Sequence, residues 1–111
     1  IMYDQKDIII IPFPFSDLTG SKQRPALIIS NKKLNGTEDR ICCLVTSKPS
    51  QELIPITNND FKEGNLPFES YIKPYRIFTV NKNVIRKRLC AVNNNFYNKI
   101  LIAINKYIEA D

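Results

Sequence analysis

A chain of 111 residues has room for one hydrophobic core and not two, so a single domain over residues 1–111 is expected. Sixteen Lys and Arg against eleven Asp and Glu give a net charge of +5 and a pI near 9.2, which points to an anionic partner, nucleic acid first. There is no histidine, the three cysteines form no Cys-x-x-Cys pair, and adjacent Cys42 and Cys43 face opposite sides of a strand; zinc sites, His-based acid–base pairs and a disulfide framework are excluded.

No apolar run nears membrane-spanning length and no signal-peptide pattern is present, so a reduced cytoplasm is the expected compartment, without a membrane partner. Ile1, ahead of Met2, reads as a cloning remnant and is set aside.

Asp7 opens the first strand. Ile8, Ile9, Ile10 and Ile11 form a continuous β-branched run, which predicts a strand covered on both faces, with a second copy as one source of cover. Pro12 and Pro14 lack amide donors and predict an end to regular pairing. Ser16-Asp17-Leu18-Thr19-Gly20-Ser21 is turn chemistry, leading to Arg24-Pro25 and a second strand over residues 26–29. Proline disfavours the α conformation of the residue before it, so Arg24 enters this strand extended, its planar fork of donors suited to a phosphate. On the residues alone, Arg24 serves equally well by capping a carbonyl or pairing with Asp17.

Residues 31–39 predict a loop that turns at Asn35-Gly36. Residues 40–47 predict the third strand, ending in the hydroxyls of Thr46 and Ser47; such residues at strand ends are ordinarily structural. A short strand over 52–56 follows, then one helical turn over 57–62 capped by Thr57, and a loop over 64–67. Strands over 69–72 and 76–80 are expected to be split by Pro74, with a further strand or single turn over 84–89. From Asn95, the residues Phe96, Tyr97, Ile100, Leu101, Ile104, Tyr107 and Ile108 recur at helical spacing, which predicts a terminal helix of about four turns packed by one face on the sheet. Asn95 is the expected N-cap, with Asn94 competing. Short strands, tight turns and one helix fit a mainly β fold, a small SH3-like β-barrel, although periodicity does not separate it from an OB-type barrel.

The stretch PFPFSDLTGSKQRPALIIS resembles the PemK/MazF family of toxins from bacterial and archaeal toxin–antitoxin pairs. The resemblance continues through Leu44-Val45-Thr46-Ser47, residues 69–80, Arg86-Lys87-Arg88-Leu89 and the terminal helix, and so spans nearly the whole chain. It implies a CcdB/MazF-type fold and a homodimeric, metal-independent endoribonuclease that needs no cofactor and cuts single-stranded RNA, usually messenger RNA, within a short sequence context. A cognate antitoxin blocks the site, and operator DNA is met through the toxin–antitoxin complex. Carried over by position, Arg24 and Thr46 are the catalytic residues. Where some members place an Arg-x-Asp pair, this chain has Lys73-Pro74-Tyr75, which keeps the base as lysine and lacks the acid.

The chemistry asks for the same two residues. Attack by a neighbouring 2′-hydroxyl builds negative charge on the phosphate oxygens, which Arg24 and Thr46 stabilise as donors, and DNA lacks the nucleophile. Asp17, Glu69 and a water held by Ser47 are the candidates for the base. Thr19, Ser21, Lys22, Lys48, Lys73 and Arg76 are candidates for the RNA track, with Tyr75 to stack on a base. Phe15 and Cys90 are assigned to the core, and Lys82, Arg86, Lys87 and Arg88 to a solvated face. Two other readings are a gyrase-poisoning toxin of the same fold, for which a C-terminal tryptophan is expected and none is present, and a non-catalytic nucleic-acid-binding SH3-like module.

Overall fold

The isoleucine run forms β1 (Asp7–Phe13), an inner strand of one curled sheet in the computed structural model, which describes residues 2–13 and 22–111. After it come β2 (Lys22–Ile28), the single-turn helix α1 (Lys32–Asn35), β3 (Asp39–Thr46), β4 (Ile54–Ile56) and β5 (Phe61–Glu63). The long β6 (Ser70–Asn81), β7 (Lys87–Val92) and the terminal helix α2 (Asn94–Ile108) complete the chain. The described strands form a seven-stranded sheet in the order β4-β6-β3-β2-β1-β7-β5, with antiparallel pairings throughout.

Side-chain alternation along these strands gives the sheet two apolar faces. On one, Ile8, Leu27, Cys43, Val45, Ile72 and Cys90 pack with Phe96, Tyr97, Ile100 and Ile104 of α2. On the other, Ile9, Ile11 and Phe13 pack with Ala26, Ile28, Cys42 and Leu44. The isoleucine run is therefore covered on both faces from within the chain. Cys42 and Cys43 lie on opposite faces, and all three cysteines are free and buried. Burial pushes the Cys42 and Cys43 thiols up to about 12 and that of Cys90 up to about 11, so all three are protonated at neutral pH.

Several expectations need correction. Pro12 does not stop pairing: β1 runs on to Phe13, with Pro12 opposite Gln23. Ile10 turns its carbonyl towards β7, where it accepts from the Arg86 N–H at 2.8 Å, and two residues later the Pro12 nitrogen points the same way, past the last β1–β7 pair. The missing donor leaves no ladder bond unmade. Pro14 lies outside the described residues. Pro74 does not divide β6 either, because a bulge absorbs it: β3 moves from Val45 to Cys43 while β6 moves from Ile72 to Ile77. The Cys43 thiol donates into this bulge, 3.5 Å from the Lys73 carbonyl oxygen.

The segment before β3 winds into α1 because Asn31 caps it, its Oδ1 accepting from the Lys33 N–H at 3.0 Å. The turn at Asn58–Asp60 is 3₁₀, with the Asp60 carboxylate accepting from the Thr57 N–H at 2.7 Å and the Thr57 hydroxyl at 2.9 Å. β5 went unforeseen, because Phe61 and Lys62 were assigned to the helical turn over 57–62, which ends at Asp60. A 3₁₀ turn at Lys82–Val84 precedes β7, and α2 starts two residues earlier than an Asn95 cap would place it, capped by Asn93, whose Oδ1 accepts from the Phe96 N–H at 2.9 Å.

The solvated-face reading fails at Arg88. Its Nε donates to the buried Asp7 at 2.8 Å and its Nη2 to Glu63 at 2.8 Å, tying β7 to β1 and β5 and holding the Glu63 carboxyl below its ordinary range. Arg40 is buried with no acidic partner among the described residues: Nε donates to the Tyr3 carbonyl at 2.9 Å, and Nη1 to those of Thr37 at 3.0 Å and Asp39 at 2.8 Å. Among the described residues no helix is long and apolar enough to cross a membrane.

Candidate active site

Strand register brings the site together. Ala26 pairs with Leu44, and the same antiparallel register continued by two residues sets Arg24 opposite Thr46. On its other side Arg24 pairs with Ile11, two residues before Phe13. Alternation then puts Phe13, Arg24, Leu44 and Thr46 on one face, at the end of the second apolar cluster. There they line a cavity of about 300 Å³ together with Lys48, Pro49, Ser50, Lys73 and Arg76.

The β6 bulge supplies the last two. Lys73 and Arg76 are three residues apart and would face opposite sides of a regular strand; the bulge at Pro74 lets both reach the same cavity. The Arg76 guanidinium lies 5.3 Å from the centre of the Phe13 ring, which meets Phe78 edge-on at 5.5 Å. The arginine is thus braced by an aromatic pair. Among the described residues, Arg24, Lys48, Lys73 and Arg76 form no ion pair, and no carboxylate lines the cavity. Four cations without an anionic partner among the described residues make a site for an external anion.

Thr46 is 8 % exposed, and its Oγ1 accepts from the Lys48 N–H at 3.2 Å. That contact uses a lone pair and leaves the hydroxyl proton to be donated. The site therefore combines planar charged donors with one short neutral donor, the set that stabilises an oxyanion. No three His, Cys, Asp or Glu side chains converge on a possible metal position among the described residues.

The remaining candidates fall elsewhere. Ser47 is exposed just beyond β3, and Lys22 is exposed at the start of β2; neither lines the cavity. Tyr75 meets Tyr107 of α2 edge-on at 5.5 Å. Glu69 lines a neighbouring cavity. Phe15, Asp17, Thr19 and Ser21 lie outside the described residues. Sequence reasoning missed Phe13, Leu44, Pro49 and Ser50 as lining residues. For the first two a signal was available, since each stands two residues from a cluster member or candidate on its own strand.

A curled antiparallel sheet carrying a cation-lined cavity at its strand ends, backed by one terminal helix, defines a small β scaffold whose cavity suits an anion. The chain belongs to the PemK-like, MazF-like toxins of type II toxin–antitoxin systems, whose family model matches residues 4–108. Solved structures share the fold. A mycobacterial endoribonuclease in complex with its cognate antitoxin superimposes with a TM-score of 0.79 at 19% identity, over 98% of this chain and 97% of that one. MazF from Deinococcus radiodurans gives 0.77 at 16% identity, over 99% of both chains. The Mycobacterium tuberculosis toxin MazF-mt6 gives 0.71 at 14% identity, over 95% of this chain and 98% of that one. No curated protein matches the chain.

Proposed function

We propose that this protein is a metal-independent, sequence-selective endoribonuclease that cleaves single-stranded RNA, messenger RNA above all, in the cytoplasm. The observation that carries the reading is the convergence of Arg24 and Thr46 in one cavity with Lys48, Lys73 and Arg76 and, among the described residues, no carboxylate. The RNA 2′-oxygen attacks the adjacent phosphorus, the bond from phosphorus to the 5′-oxygen breaks, and a 2′,3′-cyclic phosphate and a 5′-hydroxyl result. One proton leaves the 2′-hydroxyl and one is gained by the 5′-oxygen, so nothing is oxidised or reduced. Arg24 and Thr46 donate to the non-bridging oxygens as charge builds there, while Lys48, Lys73 and Arg76 hold the flanking phosphates.

A cognate antitoxin covers this cavity, and operator DNA is met through that complex. The working unit is a homodimer. Tyr75 and Ile77 on β6 and Leu101, Ile102 and Ile108 on α2 are large apolar side chains left exposed, which supports a second copy as their cover. A gyrase-poisoning role finds no comparable support, since the chain has no tryptophan.

Purified protein incubated in EDTA with a long mixed-sequence RNA, its ends mapped by primer extension, tests the reading. Discrete cuts at a recurring short motif are expected. Intact RNA, from folded protein free of antitoxin, would turn the reading towards a non-catalytic binding module.

A further inference from the structure

We propose that the cavity beside the cationic site receives one nucleobase of the RNA, and that Glu69 selects there a base carrying an exocyclic amino group. The substrate in this inference rests on the ribonuclease reading. The cavity measures about 500 Å³, and its walls include Ile56, Phe61, Leu66, Phe68, Glu69 and Tyr71. One wall residue, Tyr71, links it to the cationic site through the sheet. Tyr71 pairs directly with Thr46 across the β3–β6 ladder, and directly opposite residues present their side chains on the same face. Lys73, two residues beyond Tyr71 and so on that same face, lines the cationic cavity.

The two cavities divide the chemistry of a nucleotide between them. Phosphates are drawn to the four cations and repelled by the Glu69 carboxylate, so the part of the chain lying against Glu69 is an uncharged one. Phe68 and Tyr71 offer stacking faces, and Phe68 is 63 % exposed, as a residue waiting for a ring to cover it would be. Single-stranded RNA is recognised in this way, by bases splayed onto aromatic rings and read along their edges. An ionised carboxylate only accepts hydrogen bonds. It pairs with the amino groups of adenine, cytosine or guanine, and it faces the carbonyl oxygens of uracil unfavourably. Glu69 is available for this role. Among the described residues it makes no ion pair, and the Tyr71 hydroxyl stands at 3.5 Å, the outer limit of a hydrogen bond.

The test is cleavage of a randomised RNA pool by the wild type, Glu69→Gln and Tyr71→Ala, with every cut site sequenced. The wild type is expected to disfavour uracil at one position next to the cut, and Glu69→Gln to relax that position alone by about tenfold or more. Tyr71→Ala is expected to raise KM about tenfold to a hundredfold at all sites with little change in kcat, as lost stacking would. Unchanged preference at every position in Glu69→Gln would overturn the proposal. So would variants that cut like the wild type but escape inhibition by the antitoxin, because the cavity would then belong to a protein segment. If the wild type cuts no RNA, the ribonuclease reading fails by itself. Binding of uncleavable 2′-O-methyl oligo-A and oligo-U then decides the pocket. Tighter binding of oligo-A that is lost in Glu69→Gln supports it, and equal binding of the two overturns it.

Discussion

Arg24→Ala is expected to slow RNA cleavage by about 10²- to 10³-fold in kcat, equivalent to about 3–4 kcal/mol of barrier, while leaving the fold in place. The size follows from removing one charged donor aimed at oxygens whose charge grows in the transition state. The fold is spared because the Arg24 side chain makes no ion pair among the described residues, and the strand around it is held by the backbone ladder with Ile11. Single-turnover cleavage of a defined oligonucleotide, beside thermal melts of both proteins, separates the two effects. Equal cleavage rates would remove Arg24 from the mechanism. A coincident loss of melting temperature would make its role structural. Thr46→Val, nearly isosteric, extends the comparison to the neutral donor, with the small added cost of freeing the Lys48 N–H from its 3.2 Å bond.

The second large effect is on stability. Arg40→Ala is expected to destabilise the protein by about 3 kcal/mol, read as a shift of the urea midpoint. Removing a buried charge relieves its desolvation, which argues for a smaller loss. Against that, the carbonyls of Tyr3, Thr37 and Asp39, all in part-buried hydrogen bonds, lose their donor together, and a side-chain-sized void opens. The second consideration wins because the acceptors are main chain and cannot move away. Arg40→Met isolates it, filling much of the volume without donors. A Met variant as stable as the wild type would show that packing, not hydrogen bonding, is what Arg40 contributes.

The site was legible in the sequence where side-chain type and strand period sufficed. Arg24 before Pro25 and Thr46 at a strand end were singled out by the family resemblance, and period-two alternation carries both to one face. Lys73 and Arg76 could be named as cations, but nothing in their spacing shows that they share a cavity, because that depends on how β6 absorbs Pro74. Pro12 and Pro74 were read as breaks because proline lacks a donor, yet whether the donor is missed depends on which way the nitrogen points and on where the neighbouring strand ends. Arg88 was misread for a similar reason. Its partners Asp7 and Glu63 are 81 and 25 residues away, so only the pairing of β7 with β1 and β5 brings the three together. The terminal helix was the clearest element, since its 3.6-residue period spans four turns, and even there the cap shifted to Asn93 within a run of three asparagines.

In the proposed reaction the nucleophile belongs to the RNA. A short oligonucleotide containing the cleavage motif, made with a single 2′-deoxy residue on the 5′ side of the scissile phosphate and otherwise all RNA, and incubated in EDTA, puts this to the test. The all-RNA strand is expected to be cut to a 2′,3′-cyclic phosphate and a 5′-hydroxyl, and the singly substituted strand to stay whole at that phosphate. Cleavage of the 2′-deoxy strand at the same bond would contradict it, since water would then be the attacking group and the cation-lined cavity would serve a different reaction.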